Sequence, residues 1–197
     1  MTAPDEGPTR VVLARHGETE WSALGRHTGR TDIPLTETGR DQARRLGRAL
    51  AGRSFTRVLV SPLARARETA ELAGVGDGAI VDDDLREWDY GVYEGRTRVE
   101  IAAEDPGWTV WTRPIPGGES LTELGARADR VIARLLPLEG DILIVSHGHF
   151  LRVLASRWVG AEPALAGHLE LGTATLSELG WETDRRSIET WNVPLGG

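Results

Sequence analysis

DILIVSHGHF, residues 141–150, is the stretch that decides the fold. Asp141 to Val145 read as a buried strand, and the chain passes at once into Ser146-His147-Gly148-His149 and a further helical pattern. A strand that ends in polar, glycine-containing residues and opens a helix is the repeating unit of a parallel sheet covered by helices. Ligands of such sheets bind beyond the carboxyl ends of the strands, which places His147 at a binding edge.

The pattern recurs upstream. Arg10 to Ala14 (RVVLA) is a second apolar run, and it delivers Arg15-His16-Gly17-Glu18-Thr19. Arg57 to Val60 is a third, followed by Ser61-Pro62, expected as the N-cap and first residue of a helix with Leu63, Ala66, Ala70 and Ala73 on its buried side. That start puts Arg65 in the first helical turn. Thr36 is expected to cap a helix running to about Gly52, with Ala43, Leu46 and Leu50 on one face. Ser120 and Glu123 form a capping box, and Leu121, Leu124, Ala128, Val131 and Leu135 continue it at helical spacing. Thr173 to Leu179 and Ser187 to Trp191 read as late strands at the sheet edge. The expected architecture is one three-layer αβα domain over residues 1–197 with a largely parallel, mixed sheet. Residues 1–9 are expected as a flexible lead-in. The segment 82–118, rich in Gly, Pro and Trp, is expected to be loops and a short helix forming a cap that carries specificity.

Composition narrows the chemistry. The 197 residues include no cysteine, so disulfides, thiolate metal sites and cysteine nucleophiles are excluded, and a cytoplasmic location is expected. Every basic residue is arginine, which removes Schiff-base lysines and a P-loop lysine. No run approaches the roughly 20 apolar residues of a membrane span. The formal net charge of -7 argues against a nucleic-acid partner. An anionic small molecule would therefore need a locally positive pocket. A homo-oligomer is compatible with the sequence, which carries no signal for one.

Arg15-His16-Gly17 has the parts for attack on phosphorus. A neutral imidazole can act as nucleophile when arginine offsets the phosphoryl charge, and Gly17 lets the backbone come close. Arg65 can add a second guanidinium fork, and His147 a further donor if protonated. The backbone N–H groups of Gly148 and His149, at a helix start, are placed to meet an anionic oxygen. His16, His147 and His149 could instead be three metal ligands, but the neighbouring arginines would repel a cation, so neither metal nor other cofactor is expected.

The runs RHGETEW (Arg15 to Trp21), SPLARARETA (Ser61 to Ala70), LREWDYGVYEG (Leu85 to Gly95) and VSHGH (Val145 to His149) resemble the histidine phosphatase superfamily, in its phosphoglycerate mutase-like branch. The motifs come in that family's order and span roughly Arg10 to Leu179. The resemblance implies that His16 accepts the phosphoryl group, that Arg15, Arg65 and His147 bind it, and that Glu87 is the proton donor; Trp88 and the cap would favour its neutral form by desolvation if they close over it. It also implies substrate contacts from Ser22, Thr28, Gly29, Trp88, Gly148 and His149. Ser22 stands where many members have asparagine, leaving one hydroxyl donor. The stretch RHGETEWSALGRHTG and the EWDYGVYEG motif are most similar to broad-specificity acid and sugar-bisphosphate phosphatases. The implied activity is metal-independent hydrolysis of a small phosphorylated metabolite: a sugar phosphate, sugar bisphosphate or phosphoglycerate. A phosphoglycerate mutase is the alternative enzyme, disfavoured by the short Thr97 to Gly117 spacing, and a non-catalytic phosphate-binding module is the alternative class. Glu18, Asp89 and Glu94 are acidic rivals of Glu87. Trp21, Trp88, Trp108 and Trp111 are either cleft lining or plain packing. His27 and His168 are expected at the surface or behind the site, with no assigned role.

Overall fold

The computed structural model describes residues 9–195. Most of the expected lead-in lies outside the described residues. Thr9, which was included in it, is buried: its hydroxyl donates to the Leu138 carbonyl, and its own carbonyl accepts the Trp181 indole N–H at 3.1 Å.

Six strands make one sheet: β1 (Arg10–Arg15), β2 (Arg57–Val60), β3 (Ile80–Val81), β4 (Asp141–Ser146), β5 (Leu176–Glu182) and β6 (Arg185–Val193). Their spatial order is β3-β2-β4-β1-β5-β6. The first four in that order are mutually parallel, while β5 runs antiparallel to β1 and β6 antiparallel to β5. The sheet is therefore mixed and largely parallel, with the late hairpin at one edge. β5 begins at Leu176 rather than Thr173. Ala174, at φ 51°, turns its amide to the carbonyls of Arg15 and His16, both at 3.1 Å, and so leaves the strand path.

Side chains alternate across the central strands and feed two cores. Val11 and Leu13 of β1 join Ile142 and Ile144 of β4 on one face, and Val12 and Ala14 join Leu143 and Val145 on the other. Strands apolar on both faces must be covered on both. The helices are α1 (Glu20–Ala23), α2 (Glu37–Leu50), α3 (Ala64–Leu72), α4 (Arg98–Glu104), α5 (Leu121–Leu135) and α6 (Gly148–Trp158). Leu46 and Leu50 of α2 with Ala66 and Ala70 of α3 cover one face, and α5 and α6 cover the other, which gives the three layers. Thr36 caps α2, and Ser120 with Glu123 forms the expected box on α5. Helix α3 starts later than its sequence suggests, with Leu63 as N-cap, because the Ser61 hydroxyl is drawn into the site described below.

Between β3 and α5 the chain makes two single 3₁₀ turns, Asp83–Leu85 and Gly91–Tyr93, and the short α4. Trp88, Tyr90 and Trp108 from this segment are buried in the larger core. Among the described residues, no helix is long and apolar enough to cross a membrane.

Candidate active site

The carboxyl ends of β1 and β4 lie side by side, Arg15 opposite Ser146, and the His16 amide donates to the Ser146 carbonyl at 2.9 Å. This register sets the rings of His16 and His147 5.1 Å apart. The loop after β1 is seated against the start of α2: a Cβ on Gly17 would lie 2.3 Å from the Gly39 carbonyl oxygen. Gly17 thus permits a backbone–backbone contact inside the protein, rather than the close approach to a ligand expected of it. Its amide donates to the Thr69 hydroxyl at 3.0 Å.

His16 is buried, and its Nδ1 lies 2.7 Å from the Gly17 carbonyl. A carbonyl only accepts, so the proton sits on Nδ1 and Nε2 carries the free lone pair. Burial first, then the charges of Arg65 and Arg15, hold its pKa well below the ordinary value of 6.5. The ring is neutral at pH 7, as a nucleophile must be.

Arg65, fully buried, has no carboxylate partner among the described residues; it donates from Nε to His147 Nδ1 at 3.2 Å and from its terminal nitrogens to the carbonyls of Thr31, Thr28 and Gly29 at 2.9, 3.1 and 2.9 Å. Four acceptors offset the cost of burying that cation. Arginine can only donate, so His147 Nδ1 is bare and Nε2–H donates to Ser61 Oγ at 2.7 Å. Burial and the Arg65 charge lower the His147 pKa well below 6.5. Expected as a further donor if protonated, His147 is here a neutral, oriented ring whose Nε2–H is given to Ser61. Arg65 acts on the floor of the site through His147 and the 28–31 loop, and does not line the cleft.

Arg15 gives NH1 to the Leu171 carbonyl, while its buried Nε–H has no protein partner among the described residues. An orphaned cationic donor inside a cleft is a place for an anion. The cleft, with about 180 Å³ of space, is lined by Arg15, His16, Ser22, Arg26, His27, Thr28, Glu87, Tyr90, Gly148, His149, Arg152 and Leu171, besides Gly25.

Glu87 reaches this cleft from the 82–118 segment. Its Oε1 accepts the amides of Trp88 and Phe150 at 2.9 and 2.8 Å, and its Oε2 the amide of His149 at 3.0 Å. The carboxyl therefore caps the start of α6, a favourable place for it. This occupies the His149 amide that was expected to meet an anionic oxygen. Its rivals are engaged elsewhere: Glu18 with the Thr36 hydroxyl, Asp89 with Arg30, and Glu94 with the amides of Gly29 and Thr31.

Other expected contacts sit differently. Trp88 lies in the core, its indole N–H donating to the Glu119 carbonyl at 2.7 Å, and is not part of the lining. Gly29 is behind the wall, where its carbonyl holds Arg65. Ser22 lines the cleft, but its hydroxyl accepts the Thr19 amide at 2.9 Å, closing a capping box, and gives its one donor to the Thr19 carbonyl at 2.9 Å. Among the described residues no group of three or more His, Cys, Asp or Glu could hold a metal ion, which leaves the three-histidine reading without a ligand set.

Sequence reasoning passed over four residues. Tyr90 bonds to His149 Nδ1, Arg152 lies with its guanidinium 4.6 Å over Trp111, and His27 joins the wall. Arg127 grips Glu119 and the carbonyls of Asp84, Arg86 and Glu87, and so fixes the segment that carries Glu87. Only His27 had a usable signal: it directly precedes Thr28 and Gly29, in a stretch already marked by resemblance.

A neutral histidine at a strand end and an unpaired arginine donor line one cleft, a pairing suited to a phosphoryl group. The chain belongs to the histidine phosphatase superfamily (branch 1), which it matches over residues 11–194, and it is a phosphatase of the histidine type. It is 42% identical over 183 residues to an acid phosphatase of Mycobacterium tuberculosis, covering 91% of this chain and 90% of that one. It is 37% identical to the sedoheptulose 1,7-bisphosphatase of Saccharomyces cerevisiae, over 77% of this chain and 68% of the relative. A solved structure of an M. tuberculosis open reading frame product superposes with a TM-score of 0.90 at 40% identity, covering 95% of this chain and 99% of that one.

Proposed function

We propose that the protein hydrolyses phosphomonoesters of small metabolites, namely sugar phosphates, sugar bisphosphates or phosphoglycerates, through a phosphohistidine on His16 and without a metal. The observation that carries this reading is the His16 tautomer: Nδ1–H is held by the Gly17 carbonyl, so Nε2 carries the neutral lone pair, and His16 lines the same cleft as Arg15 with its unpaired Nε–H. In the first step Nε2 bonds to phosphorus, the ester P–O bond breaks, and the leaving oxygen takes a proton from the Glu87 carboxyl. In the second, water bonds to phosphorus, the P–N bond breaks, and the Glu87 carboxylate takes the proton of that water. Arg15 offsets the charge on the transferring group in both. The segment 82–118 serves as the specificity cap, and the sugar-bisphosphatase relative supports a sugar-type substrate. The cysteine-free sequence supports a cytoplasmic setting.

The test is hydrolysis of an aryl phosphate in the presence of chelator. Wild type should turn over, while His16→Ala should lose about 10⁴-fold or more in kcat and trap no labelled phosphate. Turnover by His16→Ala at the wild-type rate would overturn the assignment.

A further inference from the structure

His27 repeats, in the wall of the cleft, the arrangement seen at His16. Its Nδ1 lies 2.8 Å from the Arg96 carbonyl, which can only accept, so Nδ1 holds the proton and Nε2 the lone pair. The His27 backbone amide donates to the same carbonyl at 2.9 Å, and the His27 carbonyl accepts the Gly95 amide at 2.8 Å. Tyr90 and Trp108 pack edge-on against the ring with centroids at 4.8 and 5.4 Å, and the His149 ring lies parallel to it, 6.3 Å away. The ring is thus fixed in position and tautomer. Nε2 has no partner among the described residues, and the residue lines the same cleft as His16. Burial lowers its pKa below the ordinary 6.5, so the ring is neutral at pH 7.

An acceptor held rigidly in a cleft has a use only for a hydrogen-bond donor. A fully ionised phosphate or carboxylate offers none, and an aryl ring offers none. The remaining lining is mainly polar, with Leu171 its one aliphatic side chain. We propose that His27 is a specificity-determining residue whose Nε2 accepts a hydrogen bond from a hydroxyl of the substrate, selecting polyhydroxylated phosphomonoesters over hydroxyl-free ones. This rests on the phosphatase reading above and deepens it: the wall reads the alcohol while the floor handles the phosphoryl group.

The experiment compares kcat/KM for ribose 5-phosphate and glucose 6-phosphate with that for phenyl phosphate, in wild type, His27→Phe and His27→Gln. Phenylalanine keeps the packing against Tyr90 and Trp108 and removes the acceptor, whereas the Gln carbonyl can restore one near Nε2. The sugar-to-phenyl ratio should fall about tenfold in His27→Phe and recover in part in His27→Gln. Equal losses on all substrates, with the ratio unchanged, would show a packing role only and overturn the inference, as would an undiminished rate on the sugar phosphates. If wild type hydrolyses none of the three, the proposed function fails first and this inference with it, an outcome distinct from an unchanged ratio in an active enzyme.

Discussion

The floor and the wall of the cleft are built by opposite means. On the floor, Arg15, His16 and His147 sit at or next to the ends of adjacent parallel strands, and sheet register alone brings the two rings within 5.1 Å. The wall is assembled from separate turns: His27 and Thr28 from one loop, Glu87 and Tyr90 from another, and Arg152 from a helix. Its residues are held by backbone amides and carbonyls, by aromatic edges and by one isolated antiparallel bridge, Arg26 to Thr97. A sheet fixes geometry cheaply over many sequences, whereas a wall of loops can be altered residue by residue. The difference suggests that reaction type resides in the floor and substrate choice in the wall.

Glu87 is where the two regions meet, since it leaves the wall segment to cap α6 on the floor. Glu87→Gln should lower kcat by about 10²- to 10⁴-fold for alkyl phosphates, whose leaving oxygen needs a proton, and distinctly less for phenyl phosphate. Steady-state rates on both substrates check this, and equal losses would make Glu87 a structural cap alone. The pH–rate profile of the wild type should change in Glu87→Gln, and an unchanged profile would break the acid assignment.

A smaller effect concerns stability. His16, His27, His147 and His149 all have folded-state pKa values lowered below 6.5, each chiefly by burial. Below pH 6.5 the unfolded chain binds protons that the folded chain refuses, so their contribution is complete above that value and declines as pH falls towards the folded values. The decline approaches about 1.4 kcal/mol per pH unit for each histidine. Urea melts between pH 7.5 and 5.5 should show it, and a flat profile would contradict the neutral rings. His27→Phe should lessen the slope by one histidine's share and leave the share of the floor. The least effect is expected at Val99, 80% exposed on α4: Val99→Ser should change stability by no more than about 0.5 kcal/mol and leave the sugar-to-phenyl ratio alone, marking the outer limit of the wall.

The sequence displays the floor far better than the wall, for a physical reason. Strand, turn and helix N-terminus are contiguous, so DILIVSHGH and RVVLARHGE announce both their structure and their exposed end. The errors arose where a side chain served a distant partner. Ser61 has the form of an N-cap, yet its hydroxyl accepts from His147, 86 residues away. Ser22 reads as a phosphoryl donor and is consumed by Thr19. Trp88 stands beside Glu87 in sequence while its ring goes to the core. The role of His27 depends on Arg96, Tyr90 and Trp108, which no local pattern joins to it.

Ala174 adds a consequence for how the enzyme is made. Its left-handed turn staples the carbonyls of Arg15 and His16, and β1 itself pairs only with β4 and β5. Strand β1 must therefore wait for its described partners until more than 120 further residues have followed it. Assembly is dominated by contacts remote in sequence, which slows folding. A chain cut before Ala174 would contain His16, Arg65 and His147 yet lack the turn that holds the carbonyls of Arg15 and His16.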